Sequence, residues 1–213
     1  MAAITLVVAI IPARGASLLL TFTSPANPLG NSQVYGASPD DVTAYGYYGT
    51  SNSTLNAPTQ LYTTNQGGDE SGLGLSGDTT GANEIQTNDF IQIDFSDVEK
   101  LNITQVQFEM GGVQAGEAWA VYGSNTLGLI GAPITSSESG WGTADEEMLT
   151  LPAVSSYTYF AFNAVNADGN HPDANVLVSE MQITTGSAAP EPATYLLAGL
   201  ALVGIAKVGR RHR

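Results

Sequence analysis

Five carboxylates, Asp69, Glu70, Asp78, Glu84 and Asp89, fall within 21 residues and are interleaved with glycines. Hard divalent cations such as calcium take about six to eight oxygens, some from carboxylates and some from backbone carbonyls. Glycines let carbonyls turn toward an ion because they carry no side chain to obstruct the turn. The spacing is not that of an EF-hand, so the pattern points to calcium in outline only, and a solvated acidic loop is the alternative. Asp145-Glu146-Glu147 lacks any glycine scaffold and reads as plain surface. A second chemistry is aromatic. Tyr45, Tyr47 and Tyr48 cluster between glycines, and Trp141 stands between Gly140 and Gly142. Sugars stack their apolar faces on such rings while amides and carboxylates bond their hydroxyls, so Tyr45, Tyr48 and Trp141 are candidate platforms. Each is also suited to capping the rim of a β-sandwich, the plainer reading for any single one.

Catalysis finds little support in the same inventory. His171 lies in the turn-like stretch Asp168-Gly169-Asn170-His171-Pro172-Asp173. It is able to act as acid, base or metal ligand, but its setting points to an exposed loop. The chain has no cysteine and no Gly-x-Ser-x-Gly elbow. A carboxylate pair of the glycosidase kind cannot be singled out, so a glycoside-active enzyme is only a minor alternative to a non-catalytic protein.

The elements that must hold these residues are strands. Phe90-Ile91-Gln92-Ile93-Asp94-Phe95 alternates, with Ile91, Ile93 and Phe95 on one face and Gln92 and Asp94 on the other. Thr104 to Met110, Trp119 to Tyr122, Tyr157 to Asn163 and Val176 to Thr184 follow the same period of two. Further strands are expected at Leu18 to Thr23, Val42 to Tyr48 and Gln60 to Thr63, with Ser51 to Asp89 otherwise carrying ordered loops. Turn signals such as Gly111-Gly112 and Gly123-Ser124-Asn125 separate them. Many short strands with one apolar face each predict an all-β fold, an antiparallel β-sandwich. The expected core includes Ile91, Ile93, Val106, Phe108, Trp119, Phe160 and Met181.

The two ends read as addresses. Ala2 to Ile11 is apolar or small apart from Thr5, and Pro12-Ala13-Arg14-Gly15-Ala16-Ser17 offers small residues to a signal peptidase. This predicts a signal peptide over residues 1–16, truncated at its start because no positive n-region precedes the apolar run. Pro190-Glu191-Pro192 opens the other end, followed by the apolar run Ala193 to Ala206 and by Lys207, Arg210, Arg211, His212 and Arg213. Basic residues beside a span favour the cytoplasmic side, so a C-terminal transmembrane helix is expected, flanked by Arg210, Arg211 and Arg213. The arrangement resembles the PEP-CTERM signal of Gram-negative bacteria, which an exosortase reads. The resemblance implies that Pro190, Glu191 and Pro192 are the sorting signal. It also implies an inner-membrane intermediate, and delivery to the cell surface or extracellular matrix. The expected division is then a leader over 1–16, an ectodomain over 17–186 and a sorting segment over 187–213.

The ectodomain's charge narrows its partners. It holds 19 of the 20 acidic residues and, in Lys100, one of the six basic ones, which gives a formal charge of −18. Nucleic acid is a poor partner for such a surface and divalent cations are good ones.

The order of landmarks in its second half resembles discoidin-type, galactose-binding-like jelly rolls. The strand Phe90 to Phe95 is similar to the one that opens their core. Trp119-Ala120-Val121-Tyr122-Gly123-Ser124-Asn125, Tyr157-Thr158-Tyr159-Phe160-Ala161-Phe162 and Val178-Ser179-Glu180-Met181-Gln182-Ile183 are similar to three later strands. The resemblance adds Glu180 as a calcium ligand. The first half departs from that pattern: Gly68-Asp69-Glu70-Ser71-Gly72-Leu73-Gly74-Leu75 stands where an aspartate-glycine loop and a tryptophan are usual, so the family's ligand loop is not carried over. Two functions follow as expectations. One is an exported surface or matrix domain that binds carbohydrate, such as exopolysaccharide; the other is a structural surface protein with no sugar-binding activity.

Overall fold

The computed structural model describes residues 16–38, 40–67, 70–77, 81, 83–134, 145–152 and 154–186. Ser17–Thr185 forms one compact unit. Its strands are, in chain order, β1 (Ser17–Thr21), β2 (Ser32–Tyr35), β3 (Val42–Tyr48), β4 (Ala57–Thr59), β5 (Leu61–Asn65), β6 (Ser71–Leu75) and β7 (Ile85–Gln86). They continue with β8 (Asp89–Asp94), β9 (Ile103–Gly111), β10 (Glu117–Ser124), β11 (Ala132–Pro133), β12 (Leu149–Thr150), β13 (Tyr159–Asn166) and β14 (Asn175–Thr185).

Every strand pair is antiparallel. The first sheet runs β12-β9-β14-β6-β5, with β1 and β7 also on β14; the second runs β11-β10-β13-β8-β3-β2, with β4 on β3. The alternation in the sequence explains the layering, because a strand with one apolar face must bury it against another such face. Ile91, Ile93, Val106, Phe108, Trp119, Phe160 and Met181 are all buried in one core. Phe108 of the first sheet meets Trp119 and Phe162 of the second edge-on, at centroid distances of 5.2 and 5.3 Å. Such contacts add to the roughly 2–3 kcal/mol that burying one large apolar side chain contributes.

Two expectations change. Besides β5, which matches the strand expected at Gln60 to Thr63, the stretch Ser51 to Asp89 contributes β4, β6 and β7 rather than loops alone. In β6, Leu73 and Leu75 are buried and alternate with Gly72 and Gly74. A Cβ on Gly72 would stand 2.7 Å from the Val178 carbonyl oxygen, and one on Gly74 would strike the Asn83 carbonyl. Glycine admits this close approach, and its lack of a side chain hides the polar half of the alternation. The C-terminal transmembrane helix is also corrected. Among the described residues no helix is long and apolar enough to cross a membrane. The helices there are the short 3-10 turns Val98–Leu101 and Val154–Ser156. Ala193 to Ala206 lies outside the described residues, and as a helix its 14 residues would reach about 21 Å, short of a hydrocarbon core of about 30 Å.

Candidate functional site

The second sheet has a buried outer face as well as a buried inner one. Tyr45 of β3, Gln92 of β8, Ala161 of β13 and Tyr122 of β10 pair in register as one row across four strands. Around them Tyr47, Phe90, Ile130 and Ala161 form a small apolar cluster of their own, with Tyr45, Tyr122 and Leu127 packed beside it. Tyr47 stacks on Phe90 at 5.2 Å, and burial, with Tyr45 and Tyr159 nearby, pushes its phenol up to about 12.

A strap of chain covers this row. Gln92, fully buried, donates through Nε2 to the Leu129 carbonyl at 3.0 Å and accepts at Oε1 from Gly128 N–H at 2.8 Å. The strap is tied to a second loop. Asn56 donates to the Gly128 carbonyl from its backbone N–H and from Nδ2, both at 2.9 Å, and Ile130 N–H donates to the Ser51 carbonyl. Gly128 has φ +83°, a conformation that favours glycine, which lets the strap turn over the sheet.

Beside the strap lies an open groove of about 590 Å³. Thr50, Asn52, Thr87, Tyr122, Asn163 and Asn166 supply its polar lining, and Ile130 and Val165 add apolar surface. Among the described residues, none that lines it carries a carboxylate or a basic group. Its amides are held by the backbone. Asn163 donates both Nδ2 hydrogens, to the Gln86 carbonyl at 3.0 Å and the Asp89 carbonyl at 2.7 Å. The Oδ1 of Asn166 accepts from His171 N–H at 3.0 Å, and that of Asn52 from Gly131 N–H at 2.8 Å. This bonding orients each amide. The groove therefore presents fixed donors and acceptors beside an aromatic ring.

The residues singled out from the sequence are placed differently. Tyr45 is half-buried under the strap's cluster, and burial, then the charge of Asp94, raises its phenol. Tyr48 ends β3, is 59% exposed and accepts from Asn88 Nδ2 at 3.3 Å. Neither lines the groove, although Thr50, two residues beyond Tyr48, does. Trp141, Asp69, Asp78, Pro190, Glu191, Pro192, Arg210, Arg211 and Arg213 lie outside the described residues.

Of the acidic set, Glu70 and Glu84 converge: a Cβ on Gly112 would stand 3.8 Å from Glu70 Oε2 and 3.7 Å from Glu84 Oε1. Glu84 is buried, and Asp89, also buried, accepts from Gln86 N–H at 2.6 Å. Glu180 stands on β14 in register with Glu109. Burial, followed by the charges of Glu180, Glu146 and Asp145, raises the Glu109 carboxyl. Among the described residues no group of three or more Asp, Glu or His side chains is arranged to hold a metal ion. His171 is on an exposed loop; its ring Nδ1–H donates to Asp168 Oδ1 at 2.9 Å, which raises the pKa of His171 and lowers that of Asp168.

Sequence reasoning missed Asn52, Thr87, Tyr122, Asn163 and Asn166 as groove residues. One signal was present: Asn163 interrupts the apolar run Phe160-Ala161-Phe162-Asn163-Ala164-Val165, and an amide in such a run needs partners if buried.

Fold and groove together define a two-sheet antiparallel sandwich with an uncharged polar groove. A model of the PEP-CTERM protein-sorting motif matches residues 188–213. The chain thus carries that motif, which supports export dependent on an exosortase. No curated protein and no solved structure matches the chain.

Proposed function

We propose that this chain is an exported, non-catalytic surface or extracellular-matrix protein of a Gram-negative bacterium, and that its sandwich binds carbohydrate. The observation that carries the reading is the groove, where an aromatic ring and backbone-fixed amides stand together without an ionised group. Small-molecule sites typically combine an apolar wall with a few well-placed polar groups. A galactose-binding-like jelly roll is our reading of the topology, on the order of the landmark strands. The test is binding of the purified full chain to a broad panel of immobilised glycans. Binding that Tyr122→Ala weakens at least tenfold, with the melting transition still cooperative, supports the reading. A panel with no binder leaves a structural surface protein.

The sorting half of the proposal is that an exosortase acts on Pro190-Glu191-Pro192. Replacing all three with alanine should block processing. If the mass of the surface form is the same with and without the exosortase, and residues 193–213 are still attached, this half fails. Calcium belongs to the proposal as a stabiliser, through the approach of Glu70 and Glu84 at Gly112. A ligand that binds only the native state raises its stability. Equal melting midpoints with calcium and with chelator, at fixed ionic strength, would remove calcium from it.

A further inference from the structure

Resting on the carbohydrate reading above, we propose that the groove selects uncharged, hydroxyl-rich glycan and discriminates against chains bearing carboxylates or sulfates. The first ground is hydrogen-bond direction. Asn163 spends both Nδ2 hydrogens on the Gln86 and Asp89 carbonyls, so its remaining polar end is the acceptor Oδ1. Asn52 and Asn166 each accept one backbone N–H at Oδ1, which turns their Nδ2 groups outward as donors with one acceptor lone pair left on each. A hydroxyl donates and accepts, and satisfies both kinds of partner. An ionised carboxylate or sulfate only accepts, and leaves an acceptor such as Asn163 Oδ1 facing another acceptor.

The second ground is charge. Anionic sugars are normally held by arginine or lysine, and among the described residues none of these lines the groove. Lys100, the ectodomain's basic residue, is instead paired with Asp97 at 2.9 Å. The surrounding field is strongly negative, at a formal −18 over the ectodomain. Asp173, which follows the lining residue Pro172 in the chain, is exposed. A polyanion approaching it meets repulsion that salt screens within about 8–10 Å. An uncharged chain meets none.

The test uses the purified full chain with neutral gluco-, galacto- and manno-oligosaccharides and the C6-carboxylated counterpart of each, at a pH above the range in which His171 is charged. The expected result is that at least one neutral oligosaccharide binds ten times or more tightly than its uronate at low salt. Added salt should narrow that gap without closing it, because screening removes the field but not the mismatch at Asn163. Thr87→Lys, in a half-exposed turn position of the groove lining, should raise the affinity for each uronate relative to its neutral counterpart. Uronates binding as tightly as the neutral chains would overturn the selectivity and leave the carbohydrate reading standing. Binding of neither series overturns both.

Discussion

On β8, Ile91 and Ile93 face inward while Phe90 and Gln92 face outward, and all four are fully buried. What buries them differs. The inner pair meets the apolar face of the first sheet, in the same core as Phe108 and Met181. The outer pair is covered by the strap Asn125 to Gly131, which Gln92 itself holds with hydrogen bonds. Inner burial is non-directional and scales with area. Outer burial works only if each polar group under the strap finds its partner, since an unpaired one costs about 1–3 kcal/mol. The inner face should therefore set global stability, and the outer face should set a local state on which the groove depends.

The largest effect is expected on the inner face. Phe108→Ala removes a ring shared by Trp119 and Phe162 and should cost about 3–5 kcal/mol in urea unfolding. A loss below about 1 kcal/mol would show that the two sheets do not share one core. Next comes Gln92→Leu, which leaves Gly128 N–H and the Leu129 carbonyl without their partner and should cost about 2 kcal/mol. Its sharper readout is hydrogen exchange. Amides of the strap and of Ser51 to Asn56 should exchange faster while β8 and β13 stay protected. Equal loss of protection in β8 would break the distinction between the two faces.

The smallest effect contrasts the strapped row around Gln92 with the outer face of the first sheet, where two carboxylates, Glu109 and Glu180, oppose each other. The folded Glu109 carboxyl has a raised pKa, from burial first and then Glu180, Glu146 and Asp145. The native state therefore keeps this proton at a pH where the unfolded chain has lost it. The associated stability is present below the ordinary glutamate range and is lost as pH rises through the raised value. Glu109→Gln should thus stabilise the protein near neutral pH, by about 0.5 kcal/mol at most because the site is largely solvent-screened. The gain should disappear below the ordinary glutamate range and shrink with salt. A gain that persists at acid pH would mean that packing, not charge, is responsible.

The inner face was legible because its information is local. Val106, Phe108 and Met110 alternate with Gln105, Gln107 and Glu109, and that pattern alone places them on opposite faces. The same rule sent Gln92 to the outer face but could not show that it is covered, because its cover comes from residues 36 and 37 positions further along. Glu70 and Glu84 were legible as acids in a glycine-rich stretch, whereas their meeting at Gly112 was not. Tyr45 and Tyr48 were chosen for their type, and the groove instead took Tyr122, whose flanks carry no comparable aromatic cluster.

By itself, then, the sequence determined the all-β class, the strands with clear alternation, the identity of the inner core and the sorting motif at residues 188–213. Each of these is written in residues close together along the chain. The tertiary structure alone decided that β6 enters a sheet through its glycines, that a strap covers Gln92, and that a groove forms with Asn163 fixed to Gln86 and Asp89. Those last bonds join positions 77 and 74 residues apart. Period two records which way a side chain points, whereas the loop that arrives above it depends on how distant strands register and where their turns cross the sheet.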